Sequence, residues 1–88
     1  RQLQPLENYA LESLTMKGSM RQNGKILALI QTPDGEIERI QRGSYMGINH
    51  GRVVNITPTQ IDLIEIIPDG REGYVERPRS LVLIGPAP

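Results

Sequence analysis

Lys25-Ile-Leu-Ala-Leu-Ile-Gln-Thr-Pro-Asp-Gly-Glu-Ile-Glu-Arg-Ile40 decides the fold. Its first part, apolar without a break from Ile26 to Ile30, is a run with no polar face, as in a strand flanked by neighbours on both sides. Thr32-Pro-Asp-Gly35 then reverses the chain. Proline presets φ at the first corner, aspartate bonds its own backbone, and glycine takes the left-handed position. Glu36–Ile40 reads as the returning strand. Ile37 and Ile40 are out of phase for a regular strand, so a bulge near Arg39 is expected to restore both to the core.

Outward from this stretch the same pattern repeats. Upstream, Leu14-Thr-Met-Lys-Gly-Ser-Met20 alternates, with Leu14, Met16, Gly18 and Met20 on one face and Thr15, Lys17 and Ser19 on the other. That is a half-buried strand whose polar face suits an edge. Arg21-Gln-Asn-Gly24 joins it to the next strand through Asn-Gly, the strongest short hairpin signal. Downstream, Arg52–Ile56 and Gln60–Ile67 read as strands joined by the Thr57-Pro-Thr59 turn. A second Pro-Asp-Gly at Pro68–Gly70 leads into Gly73–Arg77. Pro78 interrupts, which is tolerated at a strand end or an edge, and Arg79–Ile84 is the last strand. The expectation is all-β: a small β-sandwich of about seven short antiparallel strands. Residues 1–13 read as an extended arm with a possible short helical turn, 14–84 as the sandwich, and 85–88 as a tail.

Between Ile40 and Arg52 the chain spaces three glycines four apart, Gly43-Ser-Tyr-Met-Gly-Ile-Asn-His-Gly51. That spacing suits a backbone that must take positive φ or come close to another chain segment at each glycine. One need is architectural, a tight crossover between two sheets. The other is a rigid loop presenting Tyr45, Asn49 and His50 to a partner.

Composition sets bounds. Eighty-eight residues form one small domain, burying roughly 60–65% of its unfolded surface. With no Phe and no Trp, the core must come from Leu, Ile and Val. The absence of cysteine excludes a disulfide scaffold, a thiolate metal site and a cysteine nucleophile. Zero formal net charge gives no long-range field towards nucleic acid or an anionic membrane. Eight arginines against two lysines favour geometric ion pairs. No apolar run approaches the roughly 20 residues of a membrane helix. The opening Arg1 suggests an excised fragment, with any anchor or leader upstream.

No catalytic or metal constellation emerges. His50 is the only histidine, without the partners that a general base or zinc site needs, and reads as a solvated or backbone-bonded loop residue. Asp34 and Asp69 are explained by their turns. No phosphate loop is present, and no cofactor is implied. Glu65 shares a face with Ile61, Leu63 and Ile67, so a carboxylate points where a core side chain belongs. It therefore needs a cationic partner, Arg77 or Arg52. For partner binding, the edge residues Thr15, Lys17 and Ser19 with Met20 come first, because an edge offers backbone groups for strand addition. Tyr45 and Asn49 come second. The alternative from another class, a small β-barrel that binds nucleic acid, is disfavoured by the few aromatics and neutral charge.

Leu11-Glu-Ser-Leu-Thr-Met-Lys-Gly18, Ala28-Leu-Ile-Gln-Thr-Pro-Asp-Gly35, Gly43-Ser-Tyr-Met-Gly-Ile-Asn-His-Gly-Arg52, Ile61-Asp-Leu-Ile-Glu-Ile-Ile-Pro-Asp-Gly70 and Val75-Glu-Arg77, in this order, resemble the PilP family of type IV pilus assembly. The family commonly has tryptophan before its Glu-Arg motif, where this chain has Tyr74. The resemblance implies a non-enzymatic periplasmic β-sandwich, held at the inner membrane by an N-terminal lipid anchor that this sequence lacks. It also implies two partners: the PilN–PilO inner-membrane pair, through an upstream segment, and the N-domains of the outer-membrane secretin PilQ. Neither nucleic acid nor a cofactor is implied.

Overall fold

In the computed structural model, which describes residues 1–83, seven strands form two antiparallel sheets. Sheet A has the order β1-β2-β3, with β1 Thr15–Gln22, β2 Lys25–Gln31 and β3 Ile37–Ile40. Sheet B has the order β4-β5-β6-β7, with β4 Tyr45–Met46, β5 Gly51–Thr57, β6 Gln60–Pro68 and β7 Tyr74–Val82. The expected Ile84 strand end and the 85–88 tail lie outside the described residues.

Local chemistry builds most of this. Asn23 and Gly24 both take positive φ (53° and 77°), and mirror-image turns of that kind match the twist of a hairpin. β2, apolar on both faces, is central in its sheet. Residues opposite one another in an antiparallel pair share a face, so Met16↔Ile30, Ala28↔Ile40, Val53↔Leu63 and Ile61↔Leu81 point inward together. Met16, Ala28, Ile30, Ile61 and Leu63 are fully buried between the sheets. Each large side chain among them is worth roughly 1.5–3 kcal/mol of burial.

Register corrects four expectations. A bulge between Met16 and Gly18 shifts the phase of β1. Met16 and Ser19 (opposite Ile30 and Ala28) face the core, while Thr15, Gly18 and Met20 face out. The single polar face expected for Thr15, Lys17 and Ser19 is thereby split. β3, in contrast, pairs without a bulge, and Ile37 stays outward and half exposed while Ile40 is buried. The segments on either side of Pro78 form one continuous strand, with Pro78 opposite Ile64. β7 is the outermost strand of sheet B, so the missing N–H faces no neighbour. Finally, the glycine loop contains a two-residue strand, β4, paired Tyr45↔Arg52 and Met46↔Gly51.

Residues 1–13, read as an extended arm with a short helical turn, pack onto the strands. They form 3-10 turns at Pro5–Asn8 and Leu11–Ser13, and Leu6, Leu11 and Leu14 are buried in the same core as the strands.

Candidate functional site

The glycine loop carries the chain from sheet A to sheet B. Gly43 and Gly47 take positive φ (89° and 85°). Gly51 does not, but a Cβ there would collide with the Leu63 side chain and crowd the Met46 carbonyl. Each glycine thus meets one of the two backbone demands of the spacing, positive φ at Gly43 and Gly47 and close approach at Gly51.

The N-terminal turn docks onto this loop. The Gly47 amide donates to the Leu6 carbonyl at 2.9 Å, and the Tyr45 amide donates to Gln4 Oε1 at 3.0 Å. Between them sits Glu7, a fully buried carboxylate. It accepts both guanidinium nitrogens of Arg1 (2.7 and 2.9 Å), the Gln4 amide (2.8 Å) and Nδ1 of His50 (2.6 Å). The Arg1 hydrogen bonds, with the Gln4 amide and His50 in support, outweigh burial and hold its pKa at about 2. An ionised carboxylate only accepts, so His50 Nδ1 carries the proton. His50 is exposed, as a solvated loop histidine would be, but its ring bonds a buried carboxylate rather than backbone. Arg1 also stacks on Tyr45, its Cζ 3.4 Å from the ring centroid, a cation–π contact that covers one face of the ring.

A second buried carboxylate, Glu65, lies opposite Arg77 in the β6–β7 ladder. Its Oε1 accepts Arg77 Nε and Nη2 (2.9 and 2.7 Å) and Arg79 Nη1 (3.3 Å). Asn49 Nδ2 reaches Oε2 at 3.5 Å, so the side chain of Asn49 is directed into the domain. Arg52, the other partner considered for Glu65, pairs with Ile64 on the outer face. Arg79 extends the network to Glu12 at 2.8 Å, and that bond lowers the Glu12 pKa. Asp69 bonds its own turn through the Arg71 and Gly73 amides. Asp34 does not: it accepts the Tyr9 hydroxyl at 2.8 Å, pinning the N-terminal segment to the β2–β3 turn.

The residues chosen as partner-binding candidates fall in two separate places. Thr15, Lys17, Ser19 and Met20 lie on β1, an edge strand. Tyr45 and Asn49 lie in the loop, where both are half-buried and already have partners. Glu7 and Glu12 escaped sequence reasoning, since His50 and Arg79, which bond them, are remote in the chain. The one local signal was Pro5 followed by Glu7, a combination that suits the first turn of a helix. Among the described residues no group of three potential ligands could hold a metal ion, and no helix is long and apolar enough to cross a membrane.

These features define a class: a small two-sheet β domain whose buried carboxylates tie its own segments together. The family model "Pilus assembly protein, PilP" matches residues 1–83, and the chain belongs to the PilP family of type IV pilus assembly components. The type IV pilus inner membrane component PilP of Pseudomonas aeruginosa is 41% identical over 78 residues, covering 89% of this chain and 44% of that protein. The chain thus spans less than half the length of this relative. A domain of the P. aeruginosa biogenesis lipoprotein PilP superposes with a TM-score of 0.87 at 41% identity, covering 94% of each chain. A domain of the Neisseria meningitidis PilP pilot protein gives 0.74 at 29% identity, covering 100% of this chain and 84% of that one.

Proposed function

We propose that this chain is a periplasmic adaptor domain that, in its full-length protein, is tethered to the inner membrane and links the PilN–PilO pair to the secretin PilQ by protein–protein contacts. The family match along residues 1–83 carries the reading. In support, the buried polar groups form internal ion pairs rather than a reactive constellation. Contact with the secretin N-domains is assigned to β1, through Thr15, Lys17 and Met20 and the backbone of Ser19, with Tyr45 and Asn49 as a second patch. β1 is a sheet edge, where backbone groups are available to a partner strand.

The test is retention of the chain on immobilised PilQ-type N-domains. Wild type is expected to be retained, and a Thr15→Glu/Lys17→Glu/Met20→Glu variant to bind at least about tenfold more weakly, the equivalent of 1.4 kcal/mol. Failure of the wild type to bind overturns the reading. Unchanged retention of both this variant and Tyr45→Ala removes the surface assignment alone.

A further inference from the structure

Where the β1–β2 turn stands over β5, the two sheets leave an open cleft of about 790 Å³. Its apolar lining is Ile26, Val53 and Val54, and its rim carries Lys25, Arg42 and Arg52. Among the described residues no carboxylate lines it. Among the described residues these three cations make no ion pair, although Arg1, Arg77 and Arg79 all do. A contiguous depression adds Arg39 beside Lys25, again without a carboxylate. In a chain with no net charge, this is a local concentration of unneutralised positive charge over an apolar floor.

The backbone at the same place is incomplete as a sheet. β4 covers β5 only at Gly51 and Arg52. The loop extends that cover through Gly43 and Ser44, which exchange hydrogen bonds with Val53 at 2.8 Å each. Beyond Val53 the β4 side of β5 has no strand among the described residues, and a bulge at Val54 loosens the opposite ladder as well. Unpaired strand backbone is a template for another chain.

We propose that this cleft is a docking groove for an extended, acidic segment of a partner protein, laid along the uncovered edge of β5. Backbone pairing beyond Val53 supplies affinity, carboxylates meet Lys25, Arg42 and Arg52, and alternate apolar side chains contact Ile26 and Val54. A concave site with an apolar floor fits a narrow strand; a bilayer surface is too broad to enter it. The inference does not rest on the secretin reading, which concerns the β1 edge.

The test is titration of the isotope-labelled chain with a synthetic segment alternating Glu and Val. The same segment with Lys for Glu, anionic phospholipid vesicles and a single-stranded oligonucleotide serve as comparators. The acidic segment is expected to bind, with amide shifts centred on Ile26, Val53 and Val54 and with affinity falling as salt rises. Lys25→Glu/Arg42→Glu/Arg52→Glu is expected to weaken it at least about tenfold, with Arg42→Ser alone giving a smaller loss should the triple variant misfold. No binding by the acidic segment, shifts elsewhere, or equal affinity in a folded triple variant overturns the proposal. So does uptake of vesicles or oligonucleotide through these cations in preference to the peptide, or self-association of the chain that the triple variant abolishes.

Discussion

Oε2 of Glu7 lies 2.6 Å from Nδ1 of His50 across a separation of 43 residues. Together with the Gly47–Leu6 and Tyr45–Gln4 bonds, it closes the N-terminal turn onto the loop that joins the two sheets. The carboxylate is buried, and His50 is held at a positive φ of 54°. A non-glycine residue in that region costs of order 1 kcal/mol or more, which the carboxylate bond offsets. The glycine loop is thus held by a charge from outside itself.

Stability should therefore titrate with Glu7. Its pKa falls from 4.5 to about 2 on folding. A depressed carboxylate pKa contributes stability that is complete above the unfolded value and is lost as pH falls through the folded one. The midpoint of thermal unfolding is expected to decline between about pH 5 and pH 2. Glu7→Gln should be less stable at neutral pH and decline less steeply. Glu12 and Asp62 are also depressed, so the difference between wild type and variant, rather than either curve alone, reports Glu7. Parallel curves would show that Glu7 is not linked to folding.

Glu65 makes a different prediction, because two arginines share it. Removing either leaves the other in place, whereas removing both leaves a buried carboxylate with only Asn49. Arg77→Ala and Arg79→Ala should each be mild, while the double variant should cost more than their sum. Glu65→Gln should cost roughly 1–3 kcal/mol, the scale of hydrogen bonds to a charged group. Urea denaturation of the four proteins measures the cycle, and additivity within about 0.5 kcal/mol removes the shared-carboxylate account.

What the sequence made legible follows the range of the interactions concerned. The Asn23–Gly24 hairpin and the central place of β2 were readable because adjacent residues determine them. Glu65 was readable because strict alternation along β6 left it no other face. The bulge at Lys17, the outward Ile37 and the uninterrupted β7 were not. Each is settled by register against a neighbouring strand, and a one-residue slip there reverses every side chain beyond it. Glu7 was hidden for a similar reason: an acidic residue in a polar arm looks solvated until His50 and the glycine loop fold over it.

The glycines separate two costs. At Gly24, φ is 77° and nothing lies within 4 Å of an added Cβ, so alanine there pays for conformation alone. At Gly51 the conformation is ordinary, and alanine meets Leu63 within the core. Gly24→Ala should cost about 1–2 kcal/mol, and Gly51→Ala about 1–3 kcal/mol from overpacking. Leu63→Val in the Gly51→Ala background should recover part of the second loss, and in the Gly24→Ala background none of the first. Equal effects of Leu63→Val in both backgrounds would refute the collision.

Pro78 protects the long outer strand. β7 runs nine residues at the margin of sheet B, and an exposed edge of that length invites pairing with another molecule. Its apolar end is open too, with Tyr74 and Val75 70% and 47% exposed. Proline in mid-strand removes one N–H from the free edge without breaking the ladder to β6, in which it stands opposite Ile64. Pro78→Val restores that donor and adds a good strand former. The melting temperature is expected to stay within a few degrees, while light scattering shows self-association rising with concentration. A variant that remains monomeric at concentrations where the wild type does would show that Pro78 is merely tolerated and that the charged side chains along β7 suffice to guard the edge.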